Sequence, residues 1–252
     1  MAYADDLKGV RSEIIAWRNR QKATARKADY NLTVLKRLLS WALTNELVDA
    51  NPAAGIGGIY RSNRADVVIE PDELTAILAT VTPRAAYAIR LAAATGLRRE
   101  DLVNITWDFV KDSYITFATG KSRGRKKVTV PLYGDARAVI DELRLERDDL
   151  VKAGKVPSAF VLTTEFGGPW KPDSLTQAFL RAAKKLNIKK RLHDLRGTAI
   201  THFVLMGIRE EIIADIVGWE PDRVRDIRKH YVDSDRIARA TISTLEKEAR
   251  TG

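Results

Sequence analysis

The sequence predicts a mainly α-helical chain with one small antiparallel β-sheet, an α+β fold, divided into a short helical N-terminal domain and a larger mixed one. Three observations carry this. Apolar residues recur at steps of three and four over most of the 252 residues, the spacing of a buried helix face. Only the stretch 107–131 changes to β-branched and aromatic runs on either side of a glycine-containing turn. A segment at 55–66 separates the two parts, with Gly55, Gly57 and Gly58 giving freedom and Arg61 and Arg64 giving positive charge.

The elements follow in order. Leu7, Val10, Ile14 and Trp17 line one face of a first helix. A second helix is expected over 24–46, with Leu32, Leu35, Leu38, Leu39 and Ala42 on its buried face. Asn51-Pro52 stops it, because a residue before proline avoids the α region. Glu70-Pro71-Asp72-Glu73 opens a third helix, with proline in the first turn and acids at the positive end of the helix dipole. The next helix runs to Thr95, and Gly96 suits the left-handed residue that closes it. Tyr114 to Phe117 and Val128 to Val130 read as strands, joined by a turn at 120–124. Helices are expected again at 135–151, 172–186, 193–206 and 210–217, interrupted by a short strand at 160–162. The implied domains are 1–56, a linker at 57–69, and 70–252.

Composition narrows the chemistry. Lysine and arginine total 43 against 33 acids, a net charge of +10. Such a surplus favours a polyanion partner, because each cation placed on a phosphate releases condensed counterions. A merely basic, soluble surface would show the same charge. With 45% hydrophobic and 30% charged residues, the chain has the composition of a folded, soluble protein. It contains no cysteine, which excludes disulfides, cysteine nucleophiles and thiolate metal sites, and fits a reducing cytoplasm. The histidines are His193, His202 and His230, without the HExxH spacing of a zinc site, so no metal is expected. No apolar run reaches the ~18 residues of a membrane-spanning helix. The first residues, Met1-Ala2-Tyr3-Ala4-Asp5-Asp6, lack the basic-then-apolar pattern of a signal peptide.

Three segments hold candidate chemistry. In Thr95-Gly96-Leu97-Arg98-Arg99-Glu100-Asp101, an arginine just past a glycine-closed helix can be held by backbone and aimed into a cleft, where its fork suits a phosphate. By itself Arg98 is an ordinary surface arginine. His193-Asp194-Leu195-Arg196 begins a helix, so the two basic residues, three apart, can face one phosphate. By itself His193 is a capping or buried histidine. Tyr231 stands in Arg228-Lys229-His230-Tyr231, where neighbouring cations would lower the pKa of its phenol. By itself it is a surface tyrosine.

Taken in order, these segments resemble the catalytic domain of the tyrosine recombinases, the phage integrase family. That family shows a TGLR segment, a lysine in a β-hairpin, an HxLR segment, a G-[HW] dipeptide and then the tyrosine. Here they stand as Thr95-Gly96-Leu97-Arg98, Lys121, His193-Asp194-Leu195-Arg196, Gly218-Trp219 and Tyr231. The resemblance covers 70–232. It extends more weakly to Leu38-Leu39-Ser40-Trp41-Ala42 and Asn51-Pro52-Ala53, which are similar to the end of the family's helical core-binding domain, the DNA clamp. That domain is short here, as in a trimmed chain or a minimal member of the family.

The resemblance implies a mechanism. Tyr231 would attack a DNA phosphodiester in line, forming a 3′-phosphotyrosyl link and freeing a 5′-hydroxyl. Arg98 and Arg196 would hold the non-bridging oxygens, and Asp101 would orient the site. Lys121 would protonate the leaving oxygen; Lys126 and Lys127 compete for that role, and Lys121 is preferred because it opens the turn. His193 would assist proton transfer. Trp219 would stand where the family more often has histidine, offering an indole N–H but no titratable group. Arg61, Arg64, Arg123 and Arg125 would contact DNA phosphates. No cofactor, neither metal nor ATP, is implied. The implied partners are double-stranded DNA and a homotetramer on two duplexes, from a protein monomeric when free. The implied setting is the DNA of a prokaryotic or phage system. Twelve positions separate Trp219 from Tyr231, longer than is usual in the family. A terminal helix bearing Ile237, Ala240, Ile242 and Leu245 would dock either on a neighbouring subunit or on its own domain. Two other classes remain open: a type IB topoisomerase-like enzyme with the same chemistry, and a non-catalytic basic DNA-binding protein.

Overall fold

The computed structural model describes the backbone of residues 3–61, 67–118, 127–231, 242 and 246, and their side chains except at 3–8, 223, 227 and 229–231. The chain divides into two units, Met1–Asn63 and Arg64–Gly252.

In the first unit, α1 (Tyr3–Arg20) leads through a 3₁₀ turn (Lys22–Thr24) into α2 (Ala25–Thr44). Its core is small: Ile14, Leu32, Ala53 and Ile56 are buried, with Ile15, Leu35 and Leu39 packed against them. Polar clasps complete it. Arg11 donates to the carbonyls of Pro52 (3.1 Å) and Ala54 (2.7 Å). The Asp29 carboxylate on α2 accepts the backbone N–H groups of Ile59 (2.8 Å) and Tyr60 (2.9 Å). Residues 57–60, expected as linker, therefore begin as a strap held to α2. Two expected core residues face solvent instead. Val10 is 42% exposed and Leu38 59% exposed. A helical repeat marks an apolar face, but only the partners available decide how much of it is covered.

The second unit is built around α4 (Pro83–Thr95), which packs against α6 (Gly134–Lys152), α7 (Pro172–Lys185) and α8 (Leu195–Leu205). Local sequence explains α4. Pro83 occupies the first turn, the Thr82 hydroxyl accepts the Ala85 N–H (3.4 Å), and alanine fills the middle. Gly96 closes it with φ +65°. Before it, α3 (Pro71–Thr80) starts with a capping box between Glu70 and Glu73. After it, α5 (Arg99–Val103) leads to a 3₁₀ turn at Trp107–Phe109.

The sheet has two antiparallel strands, β1 (Tyr114–Ala118) and β2 (Lys127–Pro131). Ile115 pairs with Val130 and Phe117 with Val128, and these four point into the core. Both runs expected as strands are strands, with alternate side chains buried. The strand expected at 160–162 is reduced to an isolated bridge between Thr106 and Phe160. Val161 and Leu162 are both buried, and the run pairs with the chain at 105–107 only through the Val161 N–H to the Ile105 carbonyl (2.9 Å) and the Trp107 N–H to the Ala159 carbonyl (3.0 Å). On α7, Leu175, Phe179, Ala182 and Ala183 are buried at helical spacing.

The helix expected from His193 begins two residues later. Leu192–Asp194 form a 3₁₀ turn and α8 starts at Leu195. The Asp194 carboxylate turns back to accept the Arg191 backbone N–H (2.7 Å), which bends the chain at the entry. A short α9 (Glu210–Val217) ends at Gly218 with φ +63°, and α10 (Pro221–Tyr231) follows. Among the described residues, no helix is long and apolar enough to cross a membrane.

Candidate active site

Two glycine-closed helix ends and two arginines form the described part of the site. Gly96 ends α4 and Gly218 ends α9, both left-handed, where a side chain would be strained. Each exposes carbonyl groups that the helix cannot use. The arginines take them reciprocally. Arg98, just past Gly96, donates Nη2 to the Gly218 carbonyl at 3.1 Å. Arg196, in the first turn of α8, donates Nη1 to the Gly96 carbonyl and Nη2 to the Val217 carbonyl. Each guanidinium is thus aimed by the turn that neighbours the other.

Their surroundings differ. Arg196 is 3% exposed, and its guanidinium lies 4.8 Å from the centroid of the Trp219 ring. Weakly hydrated guanidinium tolerates that burial when carbonyls and a ring face cover it. The Arg98 side chain is 18% exposed, with Asp101, itself buried, 3.7 Å from Nη1. Guanidinium carries five N–H donors, and among the described residues these two contacts leave Arg98 further donors for an oxyanion. Two fixed cations on adjacent carbonyls, Val217 and Gly218, suit a phosphate whose charge grows in a transition state.

His193 lies in the 3₁₀ turn and is exposed, while Arg196 is buried on α8. His193 is close enough to Glu100 to act on its carboxylate. Burial opposes ionisation of Glu100 most strongly. The hydrogen bond from Arg99, a backbone N–H and the charges of Arg99 and His193 nevertheless hold its pKa below the usual glutamate value.

Trp219 is half-buried and packs against the main core. Tyr231 is the last residue of α10; its side chain lies outside the described residues, as does that of His230. Lys121, Lys126, Arg64, Arg123 and Arg125 also lie outside them. Lys127 is exposed at the start of β2, and Arg61 is exposed near the end of the first unit. Of the terminal residues, Ile237, Ala240 and Leu245 lie outside the described residues, and Ile242 is 54% exposed. Among the described residues, no group of three or more histidines, aspartates or glutamates stands close enough to hold a metal ion.

Gly96 closes α4 in the left-handed conformation its sequence position suggests, whereas the same role of Gly218 at the end of α9, and the tight packing around Gly96, emerge only from the structure. A Cβ on Gly96 would meet Ala199 Cβ at 3.1 Å and Val217 Cγ1 at 3.3 Å. On Gly218 it would stand 3.6 Å from Arg98 Nη1. The signal lies in the sequence: a glycine one or two positions before a functional side chain at a helix end marks a carbonyl free to accept. Thr95, quoted only as the first residue of its segment, has a role of its own. It is fully buried, and its hydroxyl donates to the Leu91 carbonyl (2.6 Å), fixing the end of α4.

Comparison with known proteins follows the same lines. The model of the phage integrase family matches residues 67–236. The integrase of Mycobacterium phage L5 is 24% identical over 246 residues, covering 92% of this chain and 65% of its own. A tyrosine recombinase of Pseudothermotoga lettingae is 23% identical, covering 86% of this chain and 77% of its own. The chain thus spans about two thirds of the length of the phage L5 relative. Among solved structures, a lambda integrase tetramer bound to a Holliday junction superposes with a TM-score of 0.72 at 18% identity, covering 89% of this chain and 66% of that one. The Tn1549 transposon integrase, in complex with circular intermediate DNA, gives 0.63 at 17% identity over 92% of this chain and 84% of that one. At such identities the likeness concerns the fold.

Proposed function

Because the chain belongs to the phage integrase family, we propose that it is a site-specific DNA recombinase that cuts and rejoins duplex DNA through a 3′-phosphotyrosyl intermediate. The observation that carries this is the reciprocal bracing of Arg98 and Arg196 by the Gly218, Val217 and Gly96 carbonyls. Holding two guanidiniums rigidly, at the expense of burying one, is useful where negative charge must be met without reorganisation.

In this reading the Tyr231 oxygen attacks the scissile phosphorus, the phosphorus–O5′ bond breaks, and the phenolic proton leaves to a base. Lys121 supplies a proton to the departing 5′-oxygen, and His193 assists transfer at the phosphate. Arg98 and Arg196 hold the non-bridging oxygens, with Asp101 steering Arg98. Trp219 keeps the Arg196 guanidinium covered. One phosphodiester is exchanged for another, so rejoining is the reverse attack by a 5′-hydroxyl and needs neither ATP nor metal. Arg61, Arg64, Arg123 and Arg125 serve as phosphate contacts, in keeping with the net charge of +10. The residues up to 56 act as the DNA clamp, and the working assembly is a homotetramer on two duplexes; the similar lambda integrase structure is a tetramer bound to a Holliday junction.

The test is covalent trapping. Nicked suicide duplexes cut from a fragment library are incubated with the protein, and DNA that co-migrates after denaturation is sequenced. The wild type is expected to yield one recurrent core sequence with protein on a 3′ phosphate, in the presence of EDTA. Tyr231→Phe is expected to bind the same DNA and trap none. Trapping by Tyr231→Phe equal to wild type would reject the reading.

A further inference from the structure

We propose that Glu210 is a positioning residue for the nucleophile: its carboxylate latches α10 and so sets where the end of that helix, with Tyr231, stands relative to the paired arginines. The inference rests on the reading of Tyr231 given above and adds to it a residue outside every motif.

The geometry is specific. Glu210 opens α9. Its Oε2 accepts from Arg225 Nε at 3.1 Å and its Oε1 from Arg228 Nη1 at 3.1 Å. Both arginines belong to α10, three residues apart, and Arg228 is three residues before Tyr231. One ion pair would let a helix pivot about it. Two, about one turn apart on the same helix face and on separate carboxylate oxygens, also oppose rotation about the helix axis and sliding along it. Val224, fully buried, holds the middle of α10 against the core, so the latch governs orientation where the burial governs attachment.

The other end of α9 explains why this matters. Val217 and Gly218, which close α9, are the residues whose carbonyls hold Arg196 and Arg98. An eight-residue helix is about 12 Å long, short enough to behave as one rigid strut. Through α9, the phosphate-holding arginines at one end and the nucleophile-bearing helix at the other share one reference. Glu210 is well placed for this, since its side chain is 15% exposed while those of Arg225 and Arg228 are 50% and 52% exposed. Partly exposed pairs add little to stability. Their effect is therefore sought in the rate of chemistry, where an error of about 1 Å in a reacting group can cost about a hundredfold.

The experiment uses the full chain and a nicked suicide duplex carrying the recovered core sequence. Glu210→Gln, Arg228→Gln and the double variant are compared by three readouts: the rate constant for covalent complex at saturating DNA, the DNA Kd, and Tm. The expected result is a fall of about ten- to a hundredfold in the rate constant for each single variant. Kd should stay within about twofold, and Tm close to wild type. The double variant should be no slower than the worse single one, because either change opens the same latch. Additive losses, a wild-type rate in Glu210→Gln, or a loss confined to Kd would overturn the proposal. Should Glu210→Gln unfold, the surface variants Arg225→Gln and Arg228→Gln decide: stable proteins that cleave at the wild-type rate refute the latch. Failure of the wild type to trap DNA rejects the underlying reading. Trapping that Tyr231→Phe abolishes and Glu210→Gln leaves at full rate rejects the latch alone.

Discussion

Replacing Gly96 by alanine should damage the protein more than the same change at Gly218, although the two glycines share almost the same backbone. Their φ values are +65° and +63°. An L-residue in this region costs about 1–2 kcal/mol, part of which alanine recovers by restricting the unfolded chain, about 0.4–1 kcal/mol. That leaves about 1 kcal/mol at either site. The space around them differs. At Gly218 the new methyl would meet Val128 Cγ2 at 3.5 Å and Arg98 Nη1 at 3.6 Å, ordinary contact distances. At Gly96 it would press on Ala199 Cβ at 3.1 Å and Val217 Cγ1 at 3.3 Å, both in the packed interior. Overpacking of that kind adds about 1–3 kcal/mol. The expectation is a loss of about 1 kcal/mol for Gly218→Ala and about 2–4 kcal/mol for Gly96→Ala, read as shifts in urea midpoint at constant m-value. Strain at residue 96 and movement of Val217 also displace the two carbonyl partners of Arg196, so Gly96→Ala should slow DNA trapping even below its unfolding midpoint. Equal destabilisation by the two substitutions, or a larger effect at Gly218, would refute the steric reasoning.

Other expectations follow from single contacts. Arg196→Lys keeps the charge but cannot reach two carbonyls and a phosphate at once, so trapping should fall about 10²–10³-fold with the fold retained, measured by single-turnover cleavage beside circular dichroism. Phe179→Ala, at a fully buried position of α7, should cost about 3–5 kcal/mol in chemical denaturation. The Asp29 carboxyl is held below its ordinary pKa, first by the Ile59 and Tyr60 amides, against burial, with Arg18 and Arg61 assisting. A depressed folded pKa gives stability that is present above the ordinary aspartate value and lost as pH falls through the lower folded one. Hydrogen exchange at the Ile59 and Tyr60 amides, corrected for intrinsic rates, should therefore quicken below about pH 4 in the wild type. In Asp29→Asn it should be faster at neutral pH and lack that acid step.

Much of this was legible in the sequence because it depends on neighbours along the chain. Pro83 and Gly96 bracket α4, Glu70 and Glu73 cap α3, and the β-rich runs at 114–117 and 128–130 mark the hairpin. The ordered motif residues, from Arg98 through Arg196 and Trp219 to Tyr231, were likewise readable, since side-chain type and spacing are properties of the sequence. Local pattern failed where the outcome depended on distant partners. Leu38 and Val10 follow the helical repeat yet face solvent, and Val161 and Leu162 look like a strand yet are buried beside an isolated bridge. The start of α8 moved from His193 to Leu195 because Asp194 spends its carboxylate on the Arg191 backbone, a choice that spacing alone does not reveal. Tertiary structure alone decided what the arginines are for. Residues 96 and 196, or 98 and 218, are at least a hundred positions apart, and a carbonyl has no letter in the sequence. Only folding brings the free carbonyls of two helix ends to two guanidiniums, which turns separate basic residues into one rigid site for a phosphate.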